Sequence, residues 1–190
     1  MWLRVLALVL TVSLLPQGSH ALMISAGLGL GSTEMKNEIK ETEGPFTQVY
    51  SVERLFHSRL ALGVEHIRSL KGNMTSSVSY SGILARYYIN AAPMAFIPSE
   101  ELATTDTLVR DYSVFIGSGV GNAQSSRLPD TNQGKLSSNA AGVYVSPRAG
   151  LDYQMGKNLG LRGEFIYAQT VFGSGNIQTM TLSGAIYWMF

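Results

Sequence analysis

The final stretch of the chain, Ile177 to Phe190, constrains the fold more than any other. Counting back from the last residue, Phe190, Trp188, Ile186, Gly184, Leu182 and Met180 share one face, and Tyr187, Ala185, Ser183, Thr181 and Thr179 share the other. A period of two is the signature of a strand. A soluble chain usually ends in a frayed polar tail, so a strand that runs to a bare aromatic terminus needs a partner strand and an apolar surrounding. The expectation is the closing strand of a transmembrane β-barrel.

The other end of the chain predicts where such a barrel goes. Arg4 supplies a short positive segment, Val5 to Leu15 an apolar one, and Ser19-His20-Ala21 a small-x-small cleavage site after the Pro16-Gln17-Gly18 break. Residues 1–21 are therefore read as a cleaved signal peptide and residues 22–190 as a single barrel domain. Without that segment, which holds one Arg and no acid, the 14 basic residues fall to 13 against 13 acidic ones. A neutral chain carries no nucleic-acid footprint. Its lack of cysteine excludes thiolate chemistry, thiolate metal sites and disulfides. Past the leader, no run reaches the roughly eighteen apolar residues of a spanning helix. A closed sheet in lipid satisfies every backbone group and leaves no edge.

Taken in order, Ile24 to Gly31 sets Ile24, Ala26, Leu28 and Leu30 against Ser25, Gly27, Gly29 and Gly31. Glycines on an inner face make room for larger neighbours in a narrow barrel. Neither this run nor Gly117 to Gly121 has the spacing and following helix of a phosphate-binding loop. Residues 32–45 read as a charged loop. A strand follows over 47–55, its register obscured by adjacent Glu53 and Arg54, and 56–59 as a tight connection. Leu60, Leu62 and Val64 point outward and Glu65 inward, while His66 and Ile67 are read as breaking the rule at the rim. After a loop over 69–77, Ile83, Ala85, Tyr87 and Ile89 oppose Gly82, Leu84, Arg86 and Tyr88. Residues 90–107 form a long connection with Pro93, Pro98 and a possible short helix from Glu100. Tyr112, Val114, Ile116, Ser118 and Val120 then oppose Asp111, Ser113, Phe115, Gly117 and Gly119. A third loop covers 122–138. Val143, Val145, Ala149, Leu151, Tyr153 and Met155 oppose Tyr144, Ser146, Arg148, Gly150, Asp152 and Gln154. Gly156 to Asn158 is a hairpin turn, and Leu159, Leu161, Phe165 and Tyr167 face outward from Arg162 and Glu164. Residues 170–176 lead into the closing strand.

These segments number eight, and their connections alternate between shorter and longer. An even number of strands of about ten residues, with the long loops on one side, is the bacterial outer-membrane pattern. With a periplasmic N-terminus, the loops at 32–45, 69–77, 122–138 and 170–176 are expected outside the cell. The Gly27-Leu28-Gly29-Leu30-Gly31 first strand, Arg86-Tyr87-Tyr88, the Gly117 to Gly121 strand and the Tyr187-Trp188-Met189-Phe190 end resemble the small OmpA/OmpX-type eight-stranded outer-membrane barrels. The resemblance implies an all-β, antiparallel up-and-down transmembrane barrel in the outer membrane of a Gram-negative-type bacterium. It also implies recognition of the terminal aromatics Trp188 and Phe190 by the barrel-insertion machinery. A monomer in contact with outer-membrane lipids is expected, with no cofactor and no nucleic acid.

Three constellations bear on function. Inward charges of both signs, Glu65, Asp111, Asp152 and Glu164 with Arg86, Arg148 and Arg162, are expected to pair in a desolvated interior rather than to line a channel. Arg148 and Asp152, on one inward face, are a candidate pair. A lipid-modifying hydrolase would need a Ser beside a His base. The placement to test is His66 with Ser69, Ser76 or Ser77, since His57 and Ser58 fall in a periplasmic turn. Outward aromatics such as Tyr112, Tyr153, Phe165, Tyr167 and Trp188 suit an interfacial girdle. The functional expectation is a non-enzymatic envelope or surface protein that contacts an extracellular ligand or host surface through its loops. A narrow pore is the alternative, and a lipid A-modifying enzyme or a soluble lipocalin-like barrel ranks below it.

Overall fold

A computed structural model describes residues 22–36, 41–43, 46–57, 59–70, 76–90, 92–93, 112–127, 141–156, 158–173 and 176–190. Nine strands are present: β1 (Leu22–Lys36), β2 (Glu41–Glu43), β3 (Phe46–His57), β4 (Leu60–Leu70), β5 (Ser76–Tyr88), β6 (Tyr112–Arg127), β7 (Ala141–Gln154), β8 (Leu159–Gly173) and β9 (Asn176–Met189). Apart from β2, each pairs antiparallel with its neighbours in sequence, and β9 returns to β1, so eight strands close a barrel. The three-residue β2 pairs only with the tip of β1.

The seam of this barrel lies between β1 and β9. Its register runs from Met23 opposite Met189 to Lys36 opposite Asn176. Beyond the ladder, the Phe190 amide donates to the Leu22 carbonyl at 2.9 Å and the Leu22 amide donates to the Phe190 carbonyl at 3.2 Å. The terminal aromatic thus completes the seam. Pairing along this whole length removes the sheet edge that would otherwise template aggregation.

Alternation places the two faces as the sequence predicts. Leu28, Leu30, Ile83 and Leu182 expose between 63% and 68% of their surface, whereas Ser25, Arg86, Arg148, Asp152, Arg162 and Glu164 are buried. A barrel that turns leucines outward and charges inward fits lipid around it and excludes the lipocalin-like reading.

Several expectations are corrected. Residues 32–36, 69–70, 76–77, 122–127 and 170–173 belong to β1, β4, β5, β6 and β8, and 41–43 form β2, rather than forming loops. Ladder hydrogen bonds need only backbone, so polar sequence can continue a strand. His66 and Ile67 do not break the alternation: Glu65 and Ile67 are both buried, and His66 lies between them on the outer face. Glu53 points fully into the interior, and the irregularity expected near it falls later, as a register shift between Leu55 and His57. Of the connection predicted at 90–107, residues 91 and 94–107 lie outside the described residues, and with them the predicted helix. Its start is anchored, because Asn90 Nδ2 donates to the Tyr112 carbonyl at 3.0 Å and its Oδ1 accepts from the Val114 amide at 2.8 Å.

Candidate functional site

The interior is built in layers. Toward the end that carries both described chain ends, Met23, Leu55, Ala61, Tyr88, Ala92, Phe115, Tyr187 and Met189 form one apolar cluster. Toward the opposite end, a second cluster includes Val49, Ile67, Val78, Tyr80, Tyr144, Ile166 and Ile177. Hydroxyls fill the gaps beside it: Thr47 with Thr181 at 3.0 Å, Thr179 with Tyr80 at 2.8 Å and with Thr33 at 3.0 Å, and Thr33 with Ser69 at 2.9 Å.

The charges sit between these clusters. Arg162 clamps Asp152 with two bonds, Nε to Oδ1 at 2.6 Å and one terminal nitrogen to Oδ2 at 2.7 Å, and gives its other terminal nitrogen to Glu53 at 2.8 Å. Glu53 also pairs with Arg86, and Arg86 donates to Glu164 at 2.9 Å. Arg148 pairs with Glu65, lies 3.7 Å from Glu164, and donates to Ser146 Oγ at 2.7 Å. Tyr88 donates to Asp152 at 3.0 Å and Tyr144 to Glu65 at 2.9 Å. The guanidinium of Arg86 stands 4.8 Å from the Phe115 ring centroid and that of Arg162 5.1 Å, which ties the network to the apolar layer on one side. Every member is at most 5% exposed.

Glycine provides the room. A Cβ on Gly119 would collide with the Glu65 carboxylate and Ser146 Oγ; one on Gly150 would lie 2.5 Å from Phe115; and one on Gly117 would crowd the Arg86 and Arg148 stems. Inward glycines of β6 and β7 therefore leave room for the large side chains around them, as an eight-stranded lumen filled by side chains requires.

This is the fold of the small outer-membrane β-barrels. The chain matches no protein-family model and no curated sequence. Among solved structures it is similar to neisserial surface protein A, with 14% identity over 92% of this chain and 100% of that one and a TM-score of 0.67. The N-terminal barrel domain of Pseudomonas aeruginosa OprF gives 9% identity, 92% and 100% coverage and a TM-score of 0.57. Ail, the attachment invasion locus protein of Yersinia pestis, gives 13%, 91% and 100%, and 0.55. At such identities what is shared is the architecture.

Of the interior residues expected from the sequence, Glu65, Arg86, Arg148, Asp152, Arg162 and Glu164 come together, and Asp111 lies outside the described residues. The missing member was Glu53, which bridges Arg86 and Arg162. The inward series Thr47, Val49, Ser51, Glu53 was the signal for it, hidden by the charge of adjacent Arg54. The pairing of Arg148 with Asp152 is corrected: the partner of Arg148 is Glu65 and that of Asp152 is Arg162. On the outer face His66 Nδ1 lies 2.8 Å from Ser81 Oγ, whereas Ser69 points into the lumen toward Thr33. The side chains of Ser76 and Ser77 are outside the described set. Trp188 and Phe190 both face outward, their ring centroids 6.4 Å apart.

Proposed function

We propose that the protein is a structural and interacting component of the bacterial outer membrane, exported by a cleaved signal over residues 1–21 and working through its outer end rather than through its lumen. The observation that carries this reading is the filled interior. Seven charged groups, each at most 5% exposed, are enclosed between two apolar clusters, which supports a plugged lumen over an open one. What remains available for recognition is the end where β1, β6 and β8 extend past the apolar wall and where residues 37–40, 71–75 and 128–140 connect the strands. One similar barrel, Ail, has been captured with the heparin analogue sucrose octasulfate, which supports ligand contact as a use for this architecture. Trp188 and Phe190, outward at the closed seam, suit recognition by the insertion machinery, and closure without a partner chain suits a monomer.

The Ser–His contact that a lipid-modifying enzyme would need occurs, among the described residues, at His66 and Ser81. No carboxylate among those residues orients the ring. The test is single-channel conductance of the folded chain in a planar bilayer, with folding verified by heat-modifiable gel mobility. Folded protein is expected to be silent; steps whose size changes in Arg148→Met or Glu164→Gln would establish a pore instead.

A further inference from the structure

On the outer wall, β3, β4, β5 and β6 carry a contiguous block of polar side chains; other outward polar residues, such as Ser32, Ser118, Gln169 and Gln178, stand apart from it. One cross-strand row reads Gln48, Arg68, Ser79 and Gln124; the row next to it reads Tyr50, His66, Ser81 and Asn122. Directly beneath lies Val52, Val64, Ile83 and Val120, all apolar. Apolar residues also bound the block on both sides: Ala26 and Leu28 face Tyr50 and Gln48 across β1, and Val143 and Ala141 face Asn122 and Gln124 across β7. Phe46 and Leu70 stand above it on β3 and β4.

The level of this block decides its meaning. With strands tilted by about 40°, a cross-strand row climbs roughly 3 Å per strand, and two residues along a strand climb roughly 5 Å. Arg68 is two strands along the row from Leu28, and Leu30 is two residues above Leu28, so Arg68 and Leu30 stand within about 2 Å of one another in height. On β1, which borders the block, and on β9 beyond it, that height is occupied by apolar Leu30 and Met180. Polar groups at such a level need polar partners, because an Arg facing hydrocarbon costs up to about 4 kcal/mol at mid-bilayer and becomes tolerable only near a headgroup.

We propose that this block is a binding site for the phosphorylated sugar headgroup of an outer-leaflet glycolipid, seated deeper on this side of the barrel than on the other. Its chemistry is complementary. Arg68 supplies a forked cation for phosphate. Ser79, Ser81, Gln48, Asn122 and Gln124 supply donors and acceptors for sugar hydroxyls, and the Tyr50 ring offers a face for the sugar or an acyl stem. The block and its border contain no carboxylate that would repel a phosphate. The bond between His66 and Ser81 holds the imidazole in the plane of the wall beside Arg68.

The inference rests on the outer-membrane placement proposed above, and fractionation of cell envelopes separates a failure of that placement from a failure of the site. The full chain is purified in mild detergent and loaded in turn with bisphosphorylated lipid A, fully dephosphorylated lipid A and phosphatidylglycerol, and bound lipid is counted by native mass spectrometry. The wild type should retain bisphosphorylated lipid A about tenfold better than either alternative. The His66→Leu/Arg68→Leu variant should lose that preference while keeping its heat-modifiable mobility, since leucines extend the apolar rows beneath. Equal retention by the variant would overturn the site, and equal retention of phosphatidylglycerol by the wild type would overturn the glycolipid assignment.

Discussion

Arg162 and Asp152 offer the clearest test of how the interior is held. Their two short bonds lie in a site where both side chains are 1% exposed, so cutting Arg162 back to Met leaves a carboxylate without its clamp and takes one of the two guanidiniums from Glu53. Breaking a buried pair from one side costs about 3–5 kcal/mol, because the remaining charge is desolvated and uncompensated. Asp152→Leu should cost a similar amount, leaving Arg162 with Glu53 as its one carboxylate partner among the described residues and Tyr88 without its carboxylate acceptor. The double variant removes both charges and restores apolar volume, so its loss should be close to that of one single variant, a coupling of about 3 kcal/mol. The assay is equilibrium urea unfolding in lipid vesicles, reading the folded fraction from gel mobility without heating. Arg148→Met with Asp152→Leu is the control, since these two residues hold different partners and their losses should add to within about 1 kcal/mol. Losses in Arg162→Met and Asp152→Leu that sum to within about 0.5 kcal/mol would refute the paired network.

Glycines should divide by face. Gly119→Ala places a Cβ on the Glu65 carboxylate and should prevent native folding, whereas Gly163→Ala and Gly184→Ala, where nothing lies within 4 Å, should shift stability by no more than about 0.5 kcal/mol in the same urea assay. Asn90→Ala removes both bonds that hold the start of the long connection to β6 and should cost about 1–2 kcal/mol, with early hydrogen exchange at the Val114 amide as its local signature. Deleting Phe190 removes two backbone bonds of the seam and the outward terminal ring, and should slow the appearance of the heat-modifiable form in cells more than it lowers the urea midpoint of the folded barrel. A midpoint shift without a kinetic effect would show that Phe190 closes the barrel but carries no insertion signal.

The faces of the strands were legible because alternation is a local property. Arg86, Arg148, Arg162 and Glu164 could be assigned to the lumen from their immediate neighbours alone. Partners were not legible, because they depend on the stagger between strands and on the path across the lumen. Arg148 on β7 meets Glu65 on β4, 83 positions away, while Asp152, four residues along the same strand and on the same face, turns to Arg162 on the adjacent β8. No pattern within a strand distinguishes these outcomes. Each depends on where the inward glycines leave space, as Gly119 does for the Glu65 carboxylate.

Glu53 and His66 depart from the simple alternation template for a common reason. Both belong to alternating runs, but each carries a polar neighbour or identity that an apolar-outside, polar-inside template does not expect. At Glu53 the adjacent Arg54, itself buried, blurs the phase near the end of β3, where the ladder shifts register after Leu55. At His66 the phase is intact and the template is at fault, because the wall there is polar across four strands. An imidazole that looks like a break in alternation along β4 becomes regular once Tyr50, Ser81 and Asn122 are seen beside it in the same row. Such rows run across the chain, so they become visible only when register is known. Once it is, the apparent error in the pattern is also the place where the outer wall departs from what hydrocarbon alone would select, and therefore where a polar lipid headgroup has something to bind.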